Sequence, residues 1–203
     1  MPSNLSAVEQ EPALKPSLVR DHLVRVASDL FYREGIHTVG VERILSEANV
    51  TRATLYRHFH GKEGLVVAHL QLEDDTIRRY FEAGAAQATS PRHLVELVIE
   101  GIAEDIDRYH DRGCPFINAA AEYPDPTSAV RQVITSHRAW FRTTLESVTR
   151  GAKLPRPADA AQSLVLLRDA ALVGGYLDGT DLVRPAFVRT ARLVSGFETA
   201  VGL

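Results

Sequence analysis

Apolar residues recur at spacings of three and four along nearly the whole chain, the pattern of helices that each bury one face. Residues 17–34 bring Val19, Leu23, Val26, Ala27, Leu30 and Phe31 to one side, with Ser17 able to cap the start and Gly35 to end the helix. A short helix follows over 41–48, with Val41, Ile44, Leu45 and Ala48 inward. Asn49 stands where a tight turn needs a residue that tolerates positive φ. Thr51 can cap a third helix that turns Leu55 and Phe59 inward. Gly61 breaks it, and a fourth helix runs from 62 into the low 80s.

Gly84 to Ser90 reads as a loop ahead of Pro91, which suits a helix's first turn. The helix over 91–110 turns Leu94, Val98, Ile102, Ile106 and Tyr109 inward, and sends His93, Glu96, Glu100, Glu104 and Asp107 to the other face. Gly113 ends the connection to a short helix over 115–122. The breaker Tyr123-Pro124-Asp125-Pro126 separates that from a long helix over 127–150, which stops at Gly151. Pro155 and Pro157 open a helix over 158–177, Asp178-Gly179 is a turn, and Pro185 starts a last helix ending near Gly202. No segment reads as a strand pair. The expected class is all-α, with about nine helices.

Composition narrows the function. A net charge of −3 excludes a chain that binds nucleic acid with its whole surface, so any such contact must be a local patch. The one cysteine, Cys114, cannot form a disulfide within the chain and fits a reducing compartment. No apolar run approaches a membrane span, and the first residues lack the basic start and apolar stretch of a signal peptide. A cytoplasmic protein without a membrane partner is expected. Residues 1–16, with Pro2, Pro12 and Pro16, read as a flexible arm.

The local patch is found in residues 40–62, GVERILSEANVTRATLYRHFHGK: two short helices around a turn at Ala48-Asn49-Val50. From Thr51 to Lys62 there are three fixed positive charges, Arg52, Arg57 and Lys62, and no carboxylate. A helix N-terminus offers free N–H groups and a positive dipole end to a phosphate. Arg52 lies in the first turn, where a guanidinium can reach guanine N7 and O6 in the major groove. Thr54 and Tyr56 bring hydroxyls suited to phosphate oxygens, and Arg57 reads as a solvated or phosphate-facing charge. His58 reads equally as a DNA contact or a packed side chain. Lys62 can grip the backbone across the groove.

The first amphipathic helix, Gly35, the short helix 41–48, then T-R-A-T-L-Y-R-H-F and G-K-E-G-L together resemble the TetR family of bacterial transcription regulators. The resemblance covers about residues 17–68. It implies a three-helix DNA-binding head on a helical body that dimerises and binds an effector, with Arg52, Ala53, Thr54, Tyr56, His58 and Lys62 at the DNA-contacting positions. Gly40 stands where the family often has a Ser or Thr cap, and Asn49 where it often has Gly. Both residues suit their places.

Past residue 80 only the helical pattern guides the reading. In GCPFINAAAEYPDP, residues 113–126, a small-residue run from Ala119 to Ala121 lies among Cys114, Phe116, Ile117, Asn118 and Tyr123. Small side chains leave room either for a ligand or for close helix packing. His137, Trp140 and Phe141 on the next helix could line the same space, and Asn118 could orient a small, mostly apolar effector. Cys114 reads as a buried thiol or, alternatively, a redox sensor. Asp107-x-x-His110 has helical ligand spacing but no second pair, so neither metal nor cofactor is expected. No acid/base constellation favours a helical enzyme, and an adaptor is the other alternative.

Leu164, Leu167, Ala171, Gly174 and Gly175 offer a close-packing face for a second copy, and a homodimer would place two heads one DNA turn apart, roughly 34 Å, on a palindromic operator. The expected organisation is an arm over 1–16, a helix-turn-helix domain over 17–68, and a ligand-binding and dimerisation domain over 69–203. The expected function is a ligand-responsive repressor that releases double-stranded DNA on binding its effector.

Overall fold

The computed structural model describes residues 16–108 and 111–197. Of the expected arm over 1–16, Pro16 instead begins the first helix, and residues 1–15 lie outside the described residues, as do the Ser17 side chain, Tyr109, His110 and the chain end near Gly202. Among the described residues the chain is helix throughout: α1 Pro16–Glu34, α2 Val41–Glu47, α3 Arg52–Phe59, α4 Lys62–Gln87, α5 Pro91–Arg108, α6 Pro115–Glu122, α7 Ala129–Gly151, α8 Pro157–Asp178 and α9 Thr180–Val194.

Helices as short as α2 and α3 are not stable alone, so their apolar residues must anchor them. Leu23, Ala27, Leu30 and Phe31 of α1 are buried with Ile44 and Leu45 of α2 and with Leu55 and Phe59 of α3. Val41, placed inward by its spacing, is half-buried at the edge of this cluster. Each fully buried Leu or Ile contributes about 1.5–3 kcal/mol relative to exposure. The same core continues through Leu65, Val66 and Leu70 of α4 into the body. With 26 residues, α4 is about 39 Å long. It packs on α1 and α3 at one end and on α5, α6 and α7 along the rest. In the body, α8 packs against α9 and α7, and α5 lies against α9.

Three boundaries and faces differ from the periodicity. First, α4 runs on to Gln87 through Gly84, because Ala85, Ala86 and Gln87 favour helix enough to carry the glycine. Ser90 then caps α5, its Oγ accepting from His93 N at 3.1 Å. Second, α9 begins at Thr180 directly after Gly179, and Pro185 lies inside it. The hydrogen bond that Pro185 cannot donate would have gone to the Asp181 carbonyl in the exposed first turn, where that loss costs least. Third, the buried face of α5 is Val95, Ile99, Ile102, Ala103 and Ile106, with Leu94 and Val98 half-buried, because α4, α7, α8 and α9 all contact it and widen the buried arc.

The face expected to pack against a second copy is also different. Leu164, Ala171 and Gly175 are buried within the chain, and Leu167 packs against the same core. A Cβ on Gly175 would lie 3.1 Å from Ile106 of α5, and one on Gly174 would lie 3.4 Å from Val183 of α9. These residues bring α8 close to its own neighbours. The large apolar side chains α8 leaves exposed are Leu166, Val173, Tyr176 and Leu177, at 62%, 39%, 50% and 69%.

One close approach fixes the head on α4. A Cβ on Gly64 would lie 1.9 Å from the carbonyl oxygen of Phe59, whereas one on Gly84 meets nothing within 4 Å. Gly64→Ala is therefore expected to destabilise the protein by about 1–3 kcal/mol through overpacking. Gly84→Ala is expected to stabilise it by about 0.5–1 kcal/mol through reduced backbone freedom in the unfolded chain. Urea midpoints of the two variants check this; equal midpoints would contradict it.

Candidate functional site

The helix-turn-helix is shaped by backbone requirements. Asn49 takes φ 49° between α2 and α3, and His60 takes φ 58° at the end of α3. Thr51 caps α3, its Oγ1 accepting from Thr54 N at 3.3 Å. From α1, the His22 Nε2 donates to the Ala48 carbonyl at 3.2 Å and holds the end of α2. Gly40 precedes α2 without a side-chain cap.

These constraints point Arg52, Ala53, Tyr56 and Arg57 outward, all exposed. Thr54 is half-buried, and its hydroxyl lies 3.0 Å from that of Thr51, so it supports the cap before it reaches any ligand. His58 is half-buried, with its Nε2 enclosed and without a hydrogen-bond partner. Lys62 is half-buried at the start of α4. Burial lowers its pKa, and Glu122 acts in the opposite sense.

The sequence segment from Thr51 to Lys62 carries no acid, but the fold supplies one. Glu42, in the first turn of α2, forms an ion pair and hydrogen bond with the Arg52 guanidinium. Arg52 is thus held in place by a carboxylate from another helix.

In the body, five of the seven expected ligand residues come together. The His137 ring stacks on Phe116, with centroids 3.8 Å apart and planes 3° from parallel. Phe141 lies almost parallel at 6.2 Å, and Trp140 is tilted at 5.9 Å. The Arg78 guanidinium sits 4.3 Å over the Trp140 ring. Cys114 is 1% exposed and accepts from Arg168 Nη1 at 3.3 Å, which denies it the access a sensor thiol needs. Arg168 is itself buried beside Asp169 and Asp105, at 3.4 and 3.9 Å.

Asn118 and Tyr123 are elsewhere. Asn118 is exposed, its Nδ2 donating to the Arg112 carbonyl at 3.1 Å, and Tyr123 lies against the His37 ring at 5.3 Å. The cause is the amphipathic turn of α6: Pro115, Phe116 and Ala119 face the core, and Asn118 and Ala121 face outward. The small-residue run therefore points in three directions and does not line one chamber.

His137 carries the body's clearest electrostatic signature. Its Nδ1 donates to Asp74 Oδ1 at 2.8 Å, and its Nε2 is buried without a partner. Burial pushes its pKa down to about 4 against the pull of Asp74, and Arg168 and Arg78 assist the lowering. The ring is neutral at pH 7.

Two residues that pattern reasoning did not single out tie the head to the body. Glu122, at the end of α6, accepts from the backbone N–H of Ile36 at 2.8 Å and from that of His37. The His37 ring returns a hydrogen bond from Nε2 to the Glu122 carbonyl at 2.7 Å. The Tyr32 hydroxyl donates to the Gly113 carbonyl at 3.0 Å and accepts from Arg112 N at 2.8 Å. Burial raises its pKa well above the ordinary tyrosine value. Glu122 had a legible signal: a carboxylate at a helix C-terminus opposes the dipole and needs another reason to be there. Among the described residues no cluster of three or more His, Cys, Asp or Glu is placed to hold a metal, and no helix is long and apolar enough to cross a membrane.

A capped, outward-facing cationic helix on a three-helix head, joined to a helical body, defines a helix-turn-helix DNA-binding protein. Residues 23–69 match the family described as bacterial regulatory proteins, tetR family. The fold superposes on SCO4454, a TetR-family transcriptional regulator from Streptomyces coelicolor, with TM-score 0.84 and 38% identity over 89% of this chain and 96% of that one. This chain belongs to the TetR family, whose members are DNA-binding regulators rather than enzymes.

It is also similar to the transcriptional repressor KstR2 of Rhodococcus jostii, at 26% identity over 76% of each chain. It is similar to the transcriptional activator FasR of Mycolicibacterium smegmatis, at 29% over 45% of this chain and 41% of that one. The Bacillus subtilis regulator YxaF is 25% identical over 51% of this chain and 55% of its own length. The chain thus spans about half the length of YxaF and FasR.

Arg52→Ala should weaken operator binding by about 1–3 kcal/mol and relax preference at one base per half-site. Glu42→Gln, which frees Arg52, should tighten binding about two- to five-fold, the scale of an exposed ion pair. Fluorescence anisotropy on selected duplexes measures both, and weaker binding by Glu42→Gln would contradict the reading.

His137 also sets a response to acid. The folded pKa of His137 lies below its unfolded value, so the unfolded chain takes up the proton first and stability falls as pH drops from about 6.5 toward 4. The loss should be on the order of 3 kcal/mol. His137→Phe should show a correspondingly flatter pH dependence in urea unfolding, and parallel curves would refute the assignment.

Proposed function

We propose that this chain is a ligand-responsive transcription regulator that represses by occupying a palindromic operator as a homodimer and releases it when a small, mostly apolar effector enters the body. The observation that carries the reading is the Glu122 link. The helix that bears Phe116 in the aromatic cluster ends on the backbone of the α1–α2 loop. A molecule that parts the Phe116–His137 stack displaces α6, and Glu122 carries that displacement to the head. The unpartnered His137 Nε2 is a ready acceptor for a hydroxyl or N–H on such a molecule. A repressor is favoured over an activator because KstR2, matched over 76% of each chain, is named as one.

The dimer reading rests on exposed apolar residues. Leu166, Val173 and Leu177 recur at intervals of seven and four on one face of α8, and Leu182 and Leu193 share a face of α9, at 67% and 42% exposure. Two copies joined through these faces bury them in a two-fold four-helix arrangement. In that assembly Arg52, Ala53, Thr54, Tyr56, Arg57, His58 and Lys62 of each copy approach DNA, with Lys62 on phosphate.

Selection of bound sites from random duplex DNA with the full chain tests this. The expected result is an inverted repeat with half-sites about one helical turn apart, roughly 10 bp. Leu177→Arg should sediment as a monomer and lose preference for the paired site. Absence of any enriched motif, or a monomeric parent protein, overturns the proposal.

A further inference from the structure

We propose that the cavity between the head and α6, separate from the aromatic cluster, binds a small aromatic carboxylate through Arg112. The cavity measures about 280 Å³. Tyr32, Gly35 and Ile36 of the head form one wall, and Arg112, Asn118 and Tyr176 of the body form the other.

The charges around it are not equally engaged. Glu34, on the rim, pairs with Arg43 at 3.5 Å. Glu122 is committed to the N–H groups of Ile36 and His37. The Tyr32 hydroxyl already donates once and accepts once. The Arg112 guanidinium has no carboxylate within ion-pair distance among the described residues, and its contact is the Tyr176 ring, 5.7 Å away. A cation in a cavity wall, over an aromatic ring and without an ion-pair partner among the described residues, is a site for an anion.

The walls select which anion. Phe31, Ile36 and Pro115 give apolar surface, which suits a flat hydrocarbon body. Glu34 and Glu122 on the rim disfavour a doubly charged phosphate and leave a single carboxylate as the best match for one guanidinium. A dry cavity of about 150 Å³ accommodates benzene, so this one has room for a ring bearing a carboxylate. Tyr176 sits on α8 roughly 80° around from the face of Leu166, Val173 and Leu177 and is 50% exposed. An occupant would touch α1, the α1–α2 loop and α6 together, and so bear directly on the head's angle.

The test uses the full chain titrated with benzoate and with its neutral counterpart benzamide, followed by calorimetry and by ligand-observed NMR. Saturable benzoate binding is expected, with benzamide at least ten-fold weaker. Arg112→Gln and Ala121→Trp, the second plugging the cavity from the exposed side of α6, should each weaken benzoate at least ten-fold. Arg142→Gln, which removes an exposed cation on α7, should leave it unchanged. Circular dichroism melts confirm that the variants are folded. No saturable benzoate binding, or binding that survives Arg112→Gln, overturns the proposal. No operator is needed for the readout, so its outcome is independent of the regulatory reading.

Discussion

The relation between the two halves of this molecule depends on a carboxylate placed against the helix dipole. When α1 ends at Gly35, which takes φ 90°, the N–H groups of Ile36 and His37 are left without helical acceptors. Glu122 supplies both from the end of α6, where its own helix would rather have a cation. The bonds are charge-assisted and so stronger than neutral ones, which offsets the unfavourable position. Tyr32 provides a second tie one turn earlier, between α1 and the segment before α6. The two ends of α6 are therefore joined to α1 and to the loop that follows it, and the eight-residue helix acts as a strut whose other face is Phe116 and Ala119 in the core.

The helices that patterning describes best are those with a narrow buried face and clear punctuation. The bounds of α6 follow from Gly113, Pro115 and the Tyr123-Pro124 breaker, and α3 follows from Thr51 and Gly61. The pattern was less informative where burial wraps around a helix. The arc of α5 is too wide to choose between Leu94 and Val95, and the small residues of α8 fit a partner copy as well as they fit its own α5 and α9. Pro185 read as a start because proline is more frequent in first turns than inside a helix. Gly179 set the true corner. Long-range polar ties were hidden for a different reason: Glu122 and Ile36 are 86 positions apart, and no local spacing relates them.

The candidate site shows the same division. The outward cations of α3 were legible because a short amphipathic helix has only one face to give to solvent. Their electrostatic setting was not, since Glu42 reaches Arg52 across the turn from another helix. Five aromatic, thiol and imidazole residues converge, with Phe116 and His137 packed directly on each other, while Asn118 and Tyr123 are carried away by the 100° step between successive helical residues. That step brought Asn118 to the edge of a different cavity, beside Arg112.

Gly64 has a consequence for anyone wishing to recombine such proteins. Its missing Cβ lets the first turn of α4 rest on the Phe59 carbonyl, backbone against backbone, with no side chain to absorb a change in angle. The corner between α3 and α4 is thereby a rigid elbow. A chimera that grafts a foreign DNA-reading segment at that corner would have to reproduce the elbow atom for atom. A graft that carries α4 as far as Leu70, the last residue of its deeply buried stretch, moves the elbow intact and leaves only side-chain packing to be matched at the seam.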